Sequence, residues 1–167
     1  HRDLHSFPTR RSSDLTLGYD VSERPGAGAA GGMGAALIAY AGATLRPGID
    51  LVLELLNADR HLSDAALTIV GEGWLDRQSA FGKAPVGVAG KAARHGVPVV
   101  ALCGGRDESS RQLYQHHIDA MWSICQRPMP LAESMNTCEQ LLADAAENVL
   151  RTFLSGRRGE AHKRITV

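Results

Sequence analysis

The apolar positions of this chain follow two periods. "ALTIV" (66–70), "VPVVALC" (97–103) and "IDAMWSI" (118–124) are short, continuous and rich in β-branched residues, the pattern of strands buried on both faces. Around them the period lengthens to that of helices. A small-residue helix is expected over about 32–41, and Pro47 suits the first turn of another in which Ile49, Val52, Leu53 and Leu56 share a face. Pro85 opens a helix through "VGVAGKAARH", which Gly96 closes in the left-handed conformation. "SSRQLYQHH" predicts a short helix. Thr137 followed by Gln140 fits a capping box for a long helix to about Leu154, its apolar face carrying Leu141, Leu142, Ala145, Val149 and Phe153.

Strands alternating with helices predict right-handed crossovers and a parallel sheet with flanking helices, an α/β fold. Three strands make a thin sheet where about five are usual, so the sheet is expected to be truncated. The first fifteen residues agree. "HRDLHSFPTRRSSDL" has no apolar period, and its "HRDL" has no preceding lobe that could make it a protein-kinase catalytic loop. Reverse translation of His1–Leu15 gives what looks like a common sequencing-library adapter, so residues 1–15 are expected to be a translated artefact joined to a broken gene.

Composition narrows the class. With 167 residues, 44% hydrophobic and 22% charged, the chain can bury one core and carries a net charge of zero, which steers it to neither nucleic acid nor an anionic membrane. No apolar run reaches membrane-span length. Cys103, Cys125 and Cys138 are far apart and odd in number, which suits reduced thiols in a cytoplasmic protein. The histidines lack metal spacing, and His61 and His95 read as caps or surface groups.

One stretch concentrates polar chemistry. "GEGWLDRQSAFGK" (71–83) leaves the carboxyl end of strand 66–70 and ends where the Pro85 helix begins. Ligands of open parallel sheets bind at that edge, and a helix N-terminus there favours anions. Gly71 and Gly73 would free the backbone to approach a ligand. Glu72 and Asp76 offer two carboxylates able to hold a magnesium ion or accept a proton. Gln78 and Ser79 can donate hydrogen bonds, and Lys83 would reinforce the helix dipole toward phosphate. The plainer alternative is that the acids are solvated and Ser79 or Gln78 caps a helix. The stretch is not a Walker A loop, because Gly73 and Gly82 are too far apart and Ala84 stands where Ser or Thr is needed.

Gly26, Gly28 and Gly31 satisfy G-x-G-x-x-G, but no buried strand precedes them and Pro25 interrupts, which argues against a dinucleotide fingerprint. They could equally let a helix pack against another backbone or form the wall of a cleft. One of Trp74 and Trp122 is expected to cover the site and the other to lie in the core.

Together "GAGAAGGMGAALIAYAGATLRPGIDLVLEL", "TIVGEGWLDRQSAFGKAPVGVAGKAARHGVPVVALCGG" and "YQHHIDAMWSI" resemble the C-terminal part of the bacterial glycerate kinase family, over about Gly18 to Arg151. The resemblance implies a two-domain α/β enzyme that transfers the γ-phosphoryl group of ATP to D-glycerate, leaning to the 2-hydroxyl, with Mg2+. It implies that 16–64 is the end of the second, inserted domain and that 65–155 is the C-terminal part of the Rossmann/flavodoxin-like domain. Residues 156–167 would be a loose charged tail. The family's Asp-Ser-Phe-Lys segment, which faces the same cleft, is not in this chain, so the chain alone is expected to be inactive. By the same resemblance Asp76 would bind magnesium or take the proton, and Glu72 would share the metal or orient glycerate. Lys83 would meet phosphate, while Gln78 and Ser79 would hold hydroxyls or phosphate oxygens. A non-catalytic ligand-binding or regulatory α/β domain and a nucleotide-linked dehydrogenase are the competing readings; binding of Mg-ATP but not NAD separates the last.

Overall fold

The computed structural model describes residues 20–21 and 24–159, so the expected artefact at 1–15 and the end of the tail lie outside the described residues. The chain divides into two compact units at Pro47/Gly48. In the first unit α1 (Ala29–Ala41) begins irregularly at Ala30, Gly31 and Gly32, and its regular part matches the expected 32–41. A side chain at Gly34 would collide with the Gly26 carbonyl oxygen. The small residues here therefore permit close backbone packing, as one of the two readings held.

The second unit begins with α2 (Gly48–Leu55) and α3 (Ala58–Ser63), separated by Asn57 in the left-handed conformation. Leu53 and Leu62 are buried, but Val52 and Leu56 of the expected apolar face are exposed. Leu62 joins the core of the sheet unit.

Strands β1 (Thr68–Leu75), β2 (Val99–Arg106) and β3 (Ala120–Ser123) form a parallel sheet in the order β1-β2-β3. The register sets Val70 beside Ala101, Glu72 beside Cys103, and Ala101 beside Met121. Helix α4 (Ala84–Arg94), with Pro85 in its first turn, covers one face. Val70, Leu75, Ala89, Ala92, Val99, Ala101, Cys103 and Met121 form the core there. The opposite face buries Leu102 and Ile124 against Ala145 and Val149 of the long helix α6 (Cys138–Gly159). Helices on both faces make this a Rossmann/flavodoxin-like α/β sheet.

Three local expectations are corrected. The strand expected at 66–70 runs on to Leu75, so Gly71, Glu72 and Gly73 lie in β1 and not in a loop. A Cβ at Gly104 would stand 2.7 Å from the Gly73 carbonyl oxygen. Glycine on β2 thus lets the two backbones run together past the point where composition suggests a break. A short helix α5 (Leu131–Asn136) precedes α6, and the Thr137 hydroxyl donates back to the Glu133 carbonyl at 2.9 Å. Thr137 therefore ends α5 and makes no capping box with Gln140. Leu142 is exposed, on the outer side of α6. The segment "SSRQLYQHH" forms a 3-10 helix, Glu108–His116.

Candidate functional site

The carboxyl end of β1 turns through a short 3-10 helix, Arg77–Ala80, into α4. Asp76 is the N-cap of this turn: its Oδ1 accepts from the Ser79 amide at 3.1 Å, and its own amide donates to Ser79 Oγ at 3.3 Å. Reciprocal capping of this kind satisfies amides that a helix start leaves without partners. The plainer reading of the loop thus has a structural basis for Asp76 and Ser79, and the rest of the cluster goes beyond it.

Ser79 is fully buried, and its hydroxyl lies 3.0 Å from Glu72 Oε2 and 3.4 Å from Asp76 Oδ1. Its single proton favours the shorter contact, so Ser79 donates to Glu72. The other Glu72 oxygen pairs with Lys83 Nζ at 2.8 Å. Hydrogen bonding to Glu72, with its negative charge and that of Asp76, holds the Lys83 ammonium above its ordinary pKa against a smaller opposing effect of desolvation. Lys83 is also the N-cap of α4, whose first amides lack intrahelical partners. A positive charge and a helix N-terminus therefore meet at one edge of the sheet, both suited to an anion.

Four of the expected residues, Glu72, Asp76, Ser79 and Lys83, form one connected set. Gln78 does not join it: the residue is exposed, with its carbonyl accepting from the Phe81 amide at 3.0 Å. Gly71 and Gly73 belong to the strand, and the Gly73 carbonyl lies so close to Gly104 that a side chain there would collide with it. Trp74 and Trp122 are 53% and 50% exposed, so neither is the core residue that one of them was expected to be. The Trp74 ring rests on Gly105, where a Cβ would approach it to 2.5 Å. His95 contacts Asp59 at 3.1 Å, in keeping with a surface role.

Magnesium can be tested against this donor set. Both Glu72 oxygens are engaged, by Lys83 and by Ser79, so Glu72 does not fit as a metal ligand in this arrangement. Asp76 has one oxygen committed to its cap and fits as a single carboxylate ligand. That is enough for magnesium, which takes one or two carboxylates and completes its shell with water and substrate phosphates. Among the described residues no group of three His, Cys, Asp or Glu is placed to hold a metal by itself. The depression lined by Arg151, Leu154, Arg157 and Arg158 of α6 contains none of the site residues.

The sequence reading missed the second loop at the same edge, where Asp107 and Ser109 reach the β1 turn. Its signal was available: "GGRDESS" leaves the carboxyl end of β2 as "GEGWLDRQS" leaves that of β1. Among the described residues no helix is long and apolar enough to cross a membrane. The cysteines are free thiols, with burial pushing the Cys103 thiol pKa up.

Fold and site together define a parallel α/β protein with an ionic cluster at the carboxyl edge of its sheet. Comparison with known proteins gives the family. The glycerate kinase family profile matches residues 2–154. A glycerate kinase of Halalkalibacterium halodurans is 45% identical over 133 residues, 80% of this chain and 35% of that protein. A glycerate 2-kinase of Escherichia coli K12 is 41% identical over 142 residues, 85% of this chain and 37% of that protein. The crystal structure assigned to glycerate kinase 2 of Salmonella typhimurium LT2 superposes with a TM-score of 0.66 at 37% identity, covering 90% of this chain and 38% of that one. The chain belongs to the glycerate kinase family, and it spans about a third of the length of these relatives.

Proposed function

We propose that this chain forms one wall of a glycerate kinase active site, where the γ-phosphoryl group of ATP passes to the 2-hydroxyl of D-glycerate. The observation that carries the proposal is the Asp76–Ser79–Glu72–Lys83 set at the start of α4. The names of the relatives support the substrate, and that of the Escherichia coli protein supports the 2-position.

Phosphoryl transfer asks a protein for positioning and charge neutralisation more than for covalent help. Lys83 and the α4 N-terminus draw the phosphate. Ser79 and Glu72 hold the lysine in place, so Glu72 serves the site through Lys83. Asp76 either accepts the proton of the glycerate hydroxyl or supplies one ligand to magnesium. In the first role Asp76 takes the proton as the hydroxyl oxygen bonds to the γ-phosphorus, the bond to the β–γ bridging oxygen breaks, and ADP leaves. Magnesium, when bound, spreads the phosphate charge during this exchange. Gln78, exposed on the 3-10 turn, is free to hydrogen-bond glycerate. The free cysteines accord with a cytoplasmic enzyme.

Transfer requires groups from both walls of a cleft at near-attack distance. The 167-residue chain alone is therefore expected to bind nucleotide without turning it over. Calorimetric titration of the chain with Mg-ATP and with NAD tests the reading. Saturable binding of Mg-ATP and none of NAD is expected; the reverse result would return the dehydrogenase reading, and binding of neither would remove the nucleotide site.

A further inference from the structure

Asp76 sits between two peptide groups that are both held from outside its own turn. On its N-terminal side the Leu75 carbonyl accepts from the Asp107 amide at 3.2 Å. On its C-terminal side the Arg77 amide donates to Ser109 Oγ at 2.9 Å. The grip closes on itself, because the Ser109 hydroxyl donates to Asp107 Oδ1 at 2.6 Å. Beneath it the fully buried Ser110 donates its hydroxyl to the Asp107 carbonyl at 2.6 Å.

We propose that Asp107 and Ser109 are positioning residues for Asp76, gripping the two peptide groups that flank it and so fixing the direction of its carboxylate. The geometry explains how. Asp76 is extended, with φ −146° and ψ −172°, at the point where a strand becomes a 3-10 helix. Within its own turn both flanking peptides bond to Ser79, whose Oγ accepts from the Asp76 amide at 3.3 Å and whose amide donates to the Asp76 carbonyl at 3.1 Å. The cap bond to Ser79 is local and could follow any drift of the turn. The bonds to Asp107 and Ser109 refer Asp76 instead to the end of β2, whose register with β1 is set along the whole sheet. The hydroxyl of Ser109 suits the task because it accepts from Arg77 while donating to Asp107. An alanine there would leave the Arg77 amide to solvent and remove the link.

The inference rests on the reading that Asp76 takes part in the transfer, and its test separates the two. Amide hydrogen exchange is measured on the full chain as found and as Ser109→Ala, Ser109→Thr and Asp107→Asn. Ser109→Ala is expected to speed exchange at Arg77 and Ser79 by roughly tenfold while the β2 amides stay unchanged, as for a local opening. Ser109→Thr keeps the hydroxyl and should restore protection. Unchanged exchange at Arg77 and Ser79, or a uniform rise that includes β2, would overturn the proposal. Kinetics then use this chain's residues 20–159 in place of the matching third of the Halalkalibacterium halodurans enzyme. There Ser109→Ala should lower kcat by roughly 10-fold or more at nearly constant KM, and should cost nothing further once Asp76 is Asn. A loss that remains in the Asp76→Asn background would show that Ser109 does not act through Asp76. An Asp76→Asn protein with unchanged kcat would instead overturn the reading of Asp76 itself, whatever the exchange data show.

Discussion

Lys83 Nζ stands 2.8 Å from Glu72 Oε1, joining the N-cap of α4 to the middle of the neighbouring strand. Lys83→Met should weaken Mg-ATP binding roughly tenfold or more, since it removes a charged hydrogen bond to phosphate. Glu72→Gln should weaken binding less, because it frees the lysine without removing it. Calorimetry on both variants checks the order, and equal losses would show that Glu72 contacts the ligand directly. The pair also carries a pH signature. Lys83 is raised above its ordinary 10.5, so the stability it contributes is present below that value and is lost as pH rises through the raised one. The difference in stability between the chain and Glu72→Gln should therefore persist at neutral pH and vanish in strong alkali.

Ser79→Ala removes both the reciprocal cap with Asp76 and the hydroxyl that holds Glu72. The expected cost is about 1–2 kcal/mol in a denaturant titration. Ser79→Thr should recover part of it if the buried site admits the methyl group.

Asp59 ties α3 to α4 by accepting from Lys91 at 2.7 Å and by contacting His95 at 3.1 Å. Hydrogen bonds from Lys91 and then His95 lower its carboxyl from 3.8 to about 2. A lowered carboxyl contributes stability that is full above its unfolded value and disappears as pH falls through about 2. Asp59→Asn should accordingly lower the melting temperature at pH 7, with the gap closing between pH 4 and pH 2. A gap that stays constant with pH would mean that the contact acts by packing and not by charge.

Gly104→Ala places a Cβ 2.7 Å from the Gly73 carbonyl oxygen, against backbone that has no rotamer by which to yield. Overpacking of this kind costs about 1–3 kcal/mol. Chemical denaturation checks it, and the damage should reach the site, since β1 and β2 must part just before Asp76.

The strand cores at 66–70, 97–103 and 118–124, their parallel order and the helix opening at Pro85 were legible because each follows from a local period or a local stop signal. The length of β1 was not. Glycines are depleted from strands, so Gly71 and Gly73 read as loop, and only the pairing of Gly71, Glu72 and Trp74 with β2 carries the strand through them. Thr137 carried the right residue type for a cap, but the helix before it claims its hydroxyl. In the site, Glu72, Asp76, Ser79 and Lys83 could be picked out by their density along the chain. The Ser109 contact could not, because it joins residues 32 positions apart. The exposed place of Gln78 reflects the phase of the 3-10 turn, which its neighbours alone do not set.

Asp76 carries the proposed transfer. Its direct test is steady-state ADP release with the product identified by NMR, in the hybrid that carries this chain's residues 20–159, compared with the chain alone and with the hybrid's Asp76→Asn variant. The hybrid should make 2-phosphoglycerate from ATP and D-glycerate, the chain alone should make none, and Asp76→Asn should lower kcat by roughly 10²–10⁴-fold if Asp76 is the proton acceptor. A fully active chain, or an Asp76→Asn hybrid with the kinetics of its parent, would contradict the account.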